Sequence, residues 1–108
     1  MNVSANPTET TATLVAINAQ QARLSGRLDR LTGKALIQQG RSLIAKAGTQ
    51  WQVDLADVSH SSSVGIALLV DWQRYSQNKN ITLELLNVPS KMKDVIEFSG
   101  LTAFLKLN

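Results

Sequence analysis

The side chains best suited to chemistry gather around residue 60: Ser59, His60, Ser61, Ser62 and Ser63, with Asp54 and Asp57 just before them. A hydroxyl, an imidazole and a carboxylate are the parts of a nucleophilic triad, but these parts must converge in space, and adjacency in sequence does not achieve that. His60 reads instead as a solvated loop residue. Asp54 and Asp57 flank a strand end. With one histidine and no cysteine in the chain, a transition-metal site is not expected there. Gly65 is an isolated glycine rather than part of a GxxxxGK[ST] phosphate loop, so the chain offers no motif for ATP binding or hydrolysis. No catalytic residue, cofactor or metal is expected.

A serine run before an apolar segment has a simpler use. The first N–H groups of a helix lack partners, and a serine oxygen at the cap accepts from one of them. The elements around the serines fit this. Trp51 to Leu55 alternates like a strand, residues 59–63 read as a polar turn, and a helix is expected from about Val64 to Tyr75. That helix is apolar nearly all round. Val64, Ala67, Leu68 and Trp72 lie on one face, while Ile66, Leu69 and Val70 lie on the other side. Such a helix must be covered on more than one side. A domain of 108 residues has few layers for this, so part of the helix is expected to be covered by another protein. Trp72 suits either the core or an interface anchor.

The rest of the chain supplies a frame. Residues 1–12 read as a flexible segment and residues 13–108 as a single domain. Thr13 to Ile17 and Gln21 to Ser25 form a hairpin through Asn18-Ala19, ending near Gly26 to Asp29. A helix from about Leu31 to Ala47 follows, with Leu31, Ala35, Leu36, Leu43, Ile44 and Ala47 as its inward stripe and Gly48-Thr49 as its stop. Gly40 within it is either a mildly destabilising glycine or a point of close packing. Ile81 to Leu86 is another strand. A short helix then starts near Pro89, with a serine at its cap, and Met92, Val95, Ile96 and Ser99 face inward. The tail from Leu101 to Leu107 returns as a turn and a last edge segment. The order ββαβαβα implies an open α/β fold, a mixed β-sheet with its helices packed mainly on one face.

Composition narrows the function classes. Hydrophobic content of 44% with 18% charge is that of a globular chain, and a net charge of +3 without a basic stripe gives nucleic acid little to bind. No apolar run is long enough to span a bilayer and no signal-peptide pattern opens the sequence, so a cytoplasmic location is expected.

Asp54-Leu55-Ala56-Asp57-Val58-Ser59, followed by Ser62-Ser63-Val64-Gly65-Ile66-Ala67-Leu68-Leu69, resembles the signature of STAS domains, a family that includes anti-sigma factor antagonists and sulfate-transporter C-terminal domains. Leu24-Ser25-Gly26-Arg27-Leu28-Asp29 and Ser99-Gly100-Leu101 with Phe104 support it, and the resemblance runs from about Thr13 to Leu107. Within the family the chain is most similar to the MlaB group, small STAS subunits of phospholipid-transport ABC complexes. The resemblance implies a non-enzymatic subunit bound to an MlaF-like ATPase subunit, in a complex with a membrane permease at the inner face of the inner membrane, serving outer-membrane lipid asymmetry. It matches Ser63 to the hydroxyl that contacts the ATPase subunit in similar proteins. With the apolar surface of the helix, partner binding is expected at Ser61, Ser62, Ser63, Val64, Ile66, Leu69 and Trp72, and the Met92–Phe98 helix is a further candidate for this surface. The alternative the resemblance implies is an anti-sigma factor antagonist phosphorylated at Ser63. Antagonists of that pathway carry an acidic residue, the phosphorylated Ser or Thr, then glycine; here Ser62 holds the acidic position and Val64 separates Ser63 from Gly65.

Overall fold

The computed structural model describes residues 11–61 and 63–107. Strands β1 (Thr13–Asn18) and β2 (Gln21–Leu28) form the expected hairpin, and Gln20 N–H donates to Asn18 Oδ1 at 2.9 Å to close its turn. Ahead of β1, Ala12 is buried and its N–H donates to the Arg27 carbonyl at 3.1 Å, so order begins before the expected boundary. Helix α1 (Arg30–Ala45) starts one residue earlier than the apolar period suggests because Asp29 caps it. The Asp29 carboxylate accepts from Leu31 and Thr32 N–H, and the Thr32 hydroxyl accepts from Asp29 N–H, which makes a reciprocal capping box. Then come β3 (Gln50–Ser61), α2 (Ser63–Asn78), β4 (Thr82–Leu86) and α3 (Ser90–Phe98).

The strands lie in the order β1-β2-β3-β4, with β1 antiparallel to β2 and the other pairs parallel. Both parallel crossovers step in the same direction, and a right-handed connection then puts α1 and α2 on one face. Ala22, Leu24, Trp51, Val53, Leu55 and Leu83 point to that face and are buried. The other face is a polar ladder in which Gln52 donates to Glu84 at 2.6 Å and Asn87 donates to Asp54 at 3.2 Å.

Strand β3 is far longer than the alternation of residues 51–55 suggests. Between Asp54 and Asp57 it gains a residue on β2, and it gains a second between Val58 and His60. Each bulge resets the alternation, so the buried series runs 51, 53, 55 and then 58. Opposite the second irregularity sits Gly26 at φ 91°, a left-handed conformation that glycine adopts without penalty. Asp54 Oδ1 steadies the first bulge by accepting from Ala56 N–H at 2.9 Å. That bond, the Asn87 amide and the charge of Arg23 hold the Asp54 carboxyl below its ordinary value, against a smaller opposing effect of burial. A lowered folded-state pKa stabilises the fold at pH above the unfolded value of about 3.9, and the contribution is lost as pH falls below it. Asp54→Asn keeps an acceptor for Ala56 and removes the titration. Its melting temperature, followed from neutral pH down through pH 4, is therefore expected to fall less steeply than that of the wild type; parallel curves would contradict this.

The covering of α2 corrects the expectation drawn from its apolar surface. It is the middle helix, packed on the sheet with α1 on one side and α3 on the other. Gly40 of α1 lies so close to the Trp72 indole that a Cβ there would come within 2.0 Å of Nε1. Close packing is thus the reason for that glycine. Trp72 Nε1–H donates to the Ile37 carbonyl at 3.3 Å, and its ring meets Trp51 edge-on at 5.5 Å. Arg41 of α1 grips Asp71 with two guanidinium nitrogens. On the far side, Gln73 Nε2 donates to the Phe104 carbonyl at 2.8 Å and Leu105 is buried, so the tail packs as a turn over residues 102–106 rather than as an edge strand.

Other inward stripes shift as well. In α1, Leu31 is 91% exposed and Ala35 is exposed, while Leu36 and Ile44 are buried. In α3, Met92 and Ile96 face the core, but Val95 and Ser99 do not. Pro89, not a serine, holds the α3 cap position and makes no side-chain cap bond, leaving Ser90 as the first helical residue.

Candidate docking site at the carboxyl end of the parallel strands

Strands β2, β3 and β4 run parallel, so their carboxyl ends and the starts of α1, α2 and α3 share one end of the molecule. In open α/β sheets the carboxyl ends of the strands are where ligands bind. Past Asp54, β3 runs on beyond the last pairing with β4 and stays paired to β2 as far as Ser61 opposite Leu28. Ser59, His60 and Ser61 therefore belong to the strand and not to a turn. Ser59 and His60 are exposed and Ser61 is half-buried. Among the described residues the His60 imidazole has neither a hydrogen bond nor an ion pair, and no group of three or more His, Asp and Glu is placed to hold a metal ion.

Ser61 Oγ packs over the first turn of α2, 2.3 Å from where a Cβ on Gly65 would sit, with Leu28 and Met92 also close to that point. Gly65 is therefore the seat on which the end of β3, α2 and α3 converge, a role its isolation in sequence did not reveal. Val64 is half-buried and rests on Gly33 of α1, whose added Cβ would meet Val64 Cγ1 at 2.7 Å. Ser63, the first residue of α2, is exposed. Its first turn carries no acidic side chain. A surface cleft of about 410 Å³ lies beside it, between the end of β3 and the start of α3, with Pro89, Ser90, Lys91 and Met92 forming one wall. The sequence marks Pro89 and Ser90 as turn and cap chemistry and Met92 as an inward helix position, and it gives no sign of Lys91 as part of a cleft wall.

Of the expected partner-binding residues, the structure brings Ser61, Ser63 and Val64 together at this end, and Ser62 lies outside the described residues. The remaining three are corrected. Ile66 is 8% exposed, and Leu69 and Trp72 are fully buried in the chain's own core. They face the sheet, α1 and α3, so they present no surface to a partner in the folded chain. The exposed aromatic on these helices is Phe98, 94% exposed at the end of α3, with half-exposed Val95 one turn before it.

A family model described as "Mlab, STAS domain" matches residues 14–107. Among solved structures, a chain of the Acinetobacter MlaFEDB complex in an ATP-bound conformation is 28% identical, with a TM-score of 0.74 over 85% of this chain and 96% of that one. The anti-sigma factor antagonist SpoIIAA in its unphosphorylated form is 21% identical, with a TM-score of 0.70 over 87% of this chain and 84% of that one. An anti-sigma factor antagonist from Mycobacterium paratuberculosis is 20% identical, with a TM-score of 0.67 over 93% and 86%. The two antagonists share the fold, a four-stranded mixed sheet with three helices. No curated protein matches the sequence at a significant level.

Proposed function

This chain belongs to the STAS domain family, and we propose that it is a non-catalytic subunit that docks on the ATPase subunit of a phospholipid-transporting ABC complex. The observation that carries this reading is the likeness, over 85% of this chain and 96% of the other, to a chain of an MlaFEDB complex. The geometry supports it in two ways. The amino end of α2 presents Ser63 on a rigid seat of Gly65, Gly33 and Val64. The adjacent α3 presents Val95 and Phe98, an exposed apolar pair of the kind that anchors interfaces. On this reading the domain stabilises the ATPase subunit in its competent assembly. It then resides at the inner face of the inner membrane through the complex, serving outer-membrane lipid asymmetry. No helix among the described residues is long and apolar enough to cross a membrane.

Affinity purification of the tagged chain from its native cells tests this. The expected result is co-purification of an ABC ATPase and permease, with ATP hydrolysis by the complex and none by the chain alone. Recovery of a serine kinase and a sigma-factor regulator instead would favour the antagonist reading, for which Ser63 is the accessible hydroxyl. Turnover of ATP by the isolated chain would overturn the non-catalytic assignment.

A further inference from the structure

Strand β1 lies at an edge of the sheet, and among the described residues nothing pairs with its outer side. Folded proteins blunt such edges with charge, proline or strong distortion, because an open row of N–H and C=O groups templates further pairing. The opposite edge, β4, carries Glu84. Strand β1, Thr-Leu-Val-Ala-Ile-Asn, carries no charge and no proline, and Val15 and Ile17 stand 58% and 46% exposed on it. Two surface grooves of about 430 and 420 Å³ run between β1 and α1, and every residue lining them is uncharged, from Leu14 and Ala16 on the strand to Gln38 and Ser42 on the helix. Leu31, the most exposed aliphatic residue of α1, borders the same trough.

We infer that β1 is a strand-pairing edge that joins two copies of this chain, antiparallel about a two-fold axis, into one continuous sheet. Charge selects a second copy as the occupant. A two-fold contact sets every residue against its own kind of surface, so any charge on the strand would meet a like charge. Strand β1 and the near side of α1 carry no charge, so a second copy closes on this face without setting like charges together. A register centred on Val15 stacks Val15 on its copy and sets Leu14 against Ala16. The nearest basic residues along the open face, Arg23 and its copy on β2, then lie three strand spacings apart, about 14 Å. That exceeds the screening length of about 8 Å at physiological salt.

Sedimentation velocity of the full-length chain over a concentration series tests this, with Val15→Lys as the matched variant and circular dichroism as the folding control. The expected result is a concentration-dependent dimer for the wild type and a folded monomer for Val15→Lys at every concentration. The chain has no cysteine, so Val15→Cys gives an independent readout: mild oxidation should yield a disulfide-linked dimer. A wild type that stays monomeric to its solubility limit overturns the proposal, and so does a dimer that persists in Val15→Lys. A chain shortened to begin at Thr11 that dimerises when the full chain does not also overturns it, and would assign the edge to residues 1–10.

Discussion

Leu69→Asp is expected to unfold the isolated chain. Leu69 is fully buried, in the turn of α2 just before Trp72, within a helix covered by the sheet and by α1 and α3. The substitution removes a core leucine, at a cost of about 2–5 kcal/mol. It also introduces a carboxyl group whose burial, even in protonated form, costs further free energy because nothing polar is arranged around it. Domains of this size are stable by only about 5–15 kcal/mol in total, so the two effects together consume most or all of that margin. Ala67→Asp is the matched comparison. Ala67 is exposed on the same helix, and the change should leave the melting temperature within a few degrees of the wild type. Far-ultraviolet circular dichroism and thermal melting of both variants give the answer. A Leu69→Asp chain that melts normally and fails only to assemble would return Leu69 to a surface and reject the packing described above.

That outcome bears on what the sequence could and could not convey. Helix α2 shows its apolar residues plainly, but periodicity reports how many sides of a helix are covered, not by what. Whether the cover is α3 and the tail or another protein is a long-range fact, set by the direction in which the crossovers wind. The same is true of Gly40. A glycine within a helix signals either tolerance or close approach, and only the position of Trp72 opposite decides between them. The elements themselves were legible because capping, turn and alternation signals are local. They failed where a local pattern was broken for a tertiary reason. The two bulges of β3 interrupt its alternation after Leu55, so the strand reads as ending six residues before it does. Leu31 and Val95 satisfy helical spacing yet are uncovered, since a stripe predicted from period alone runs the whole length of a helix while the neighbour that buries it does not. At the site, the hydroxyl of Ser63 was found from a motif, whereas the seat beneath it, Gly33 and Gly65, depends on contacts between helices far apart in the chain.

Ser63→Glu should separate folding from docking. Ser63 is exposed at the first position of α2, and the positive end of the helix dipole favours a negative charge there by about 0.3–1 kcal/mol. The isolated variant is therefore expected to melt at or slightly above the wild-type temperature. In a complex that closes over this end of the molecule, the same carboxylate must give up its water. Without a basic group to receive it, a truncated or mismatched buried charge costs about 2–5 kcal/mol at an interface, which corresponds to roughly a 30-fold to several-thousand-fold loss of affinity. Ser63→Glu should then fail to retain the ATPase subunit in a pull-down and lower ATP hydrolysis by the assembly. Ser63→Ala removes at most a hydrogen bond, worth about 0.5–1.5 kcal/mol, and keeps the shape, so its loss of binding should be tenfold or so at most. Monomer melting and quantitative pull-down measured on both variants distinguish the cases. If wild type and Ser63→Glu retain the ATPase equally, Ser63 does no more than begin the helix, and the docking surface must be sought on α3 around Phe98.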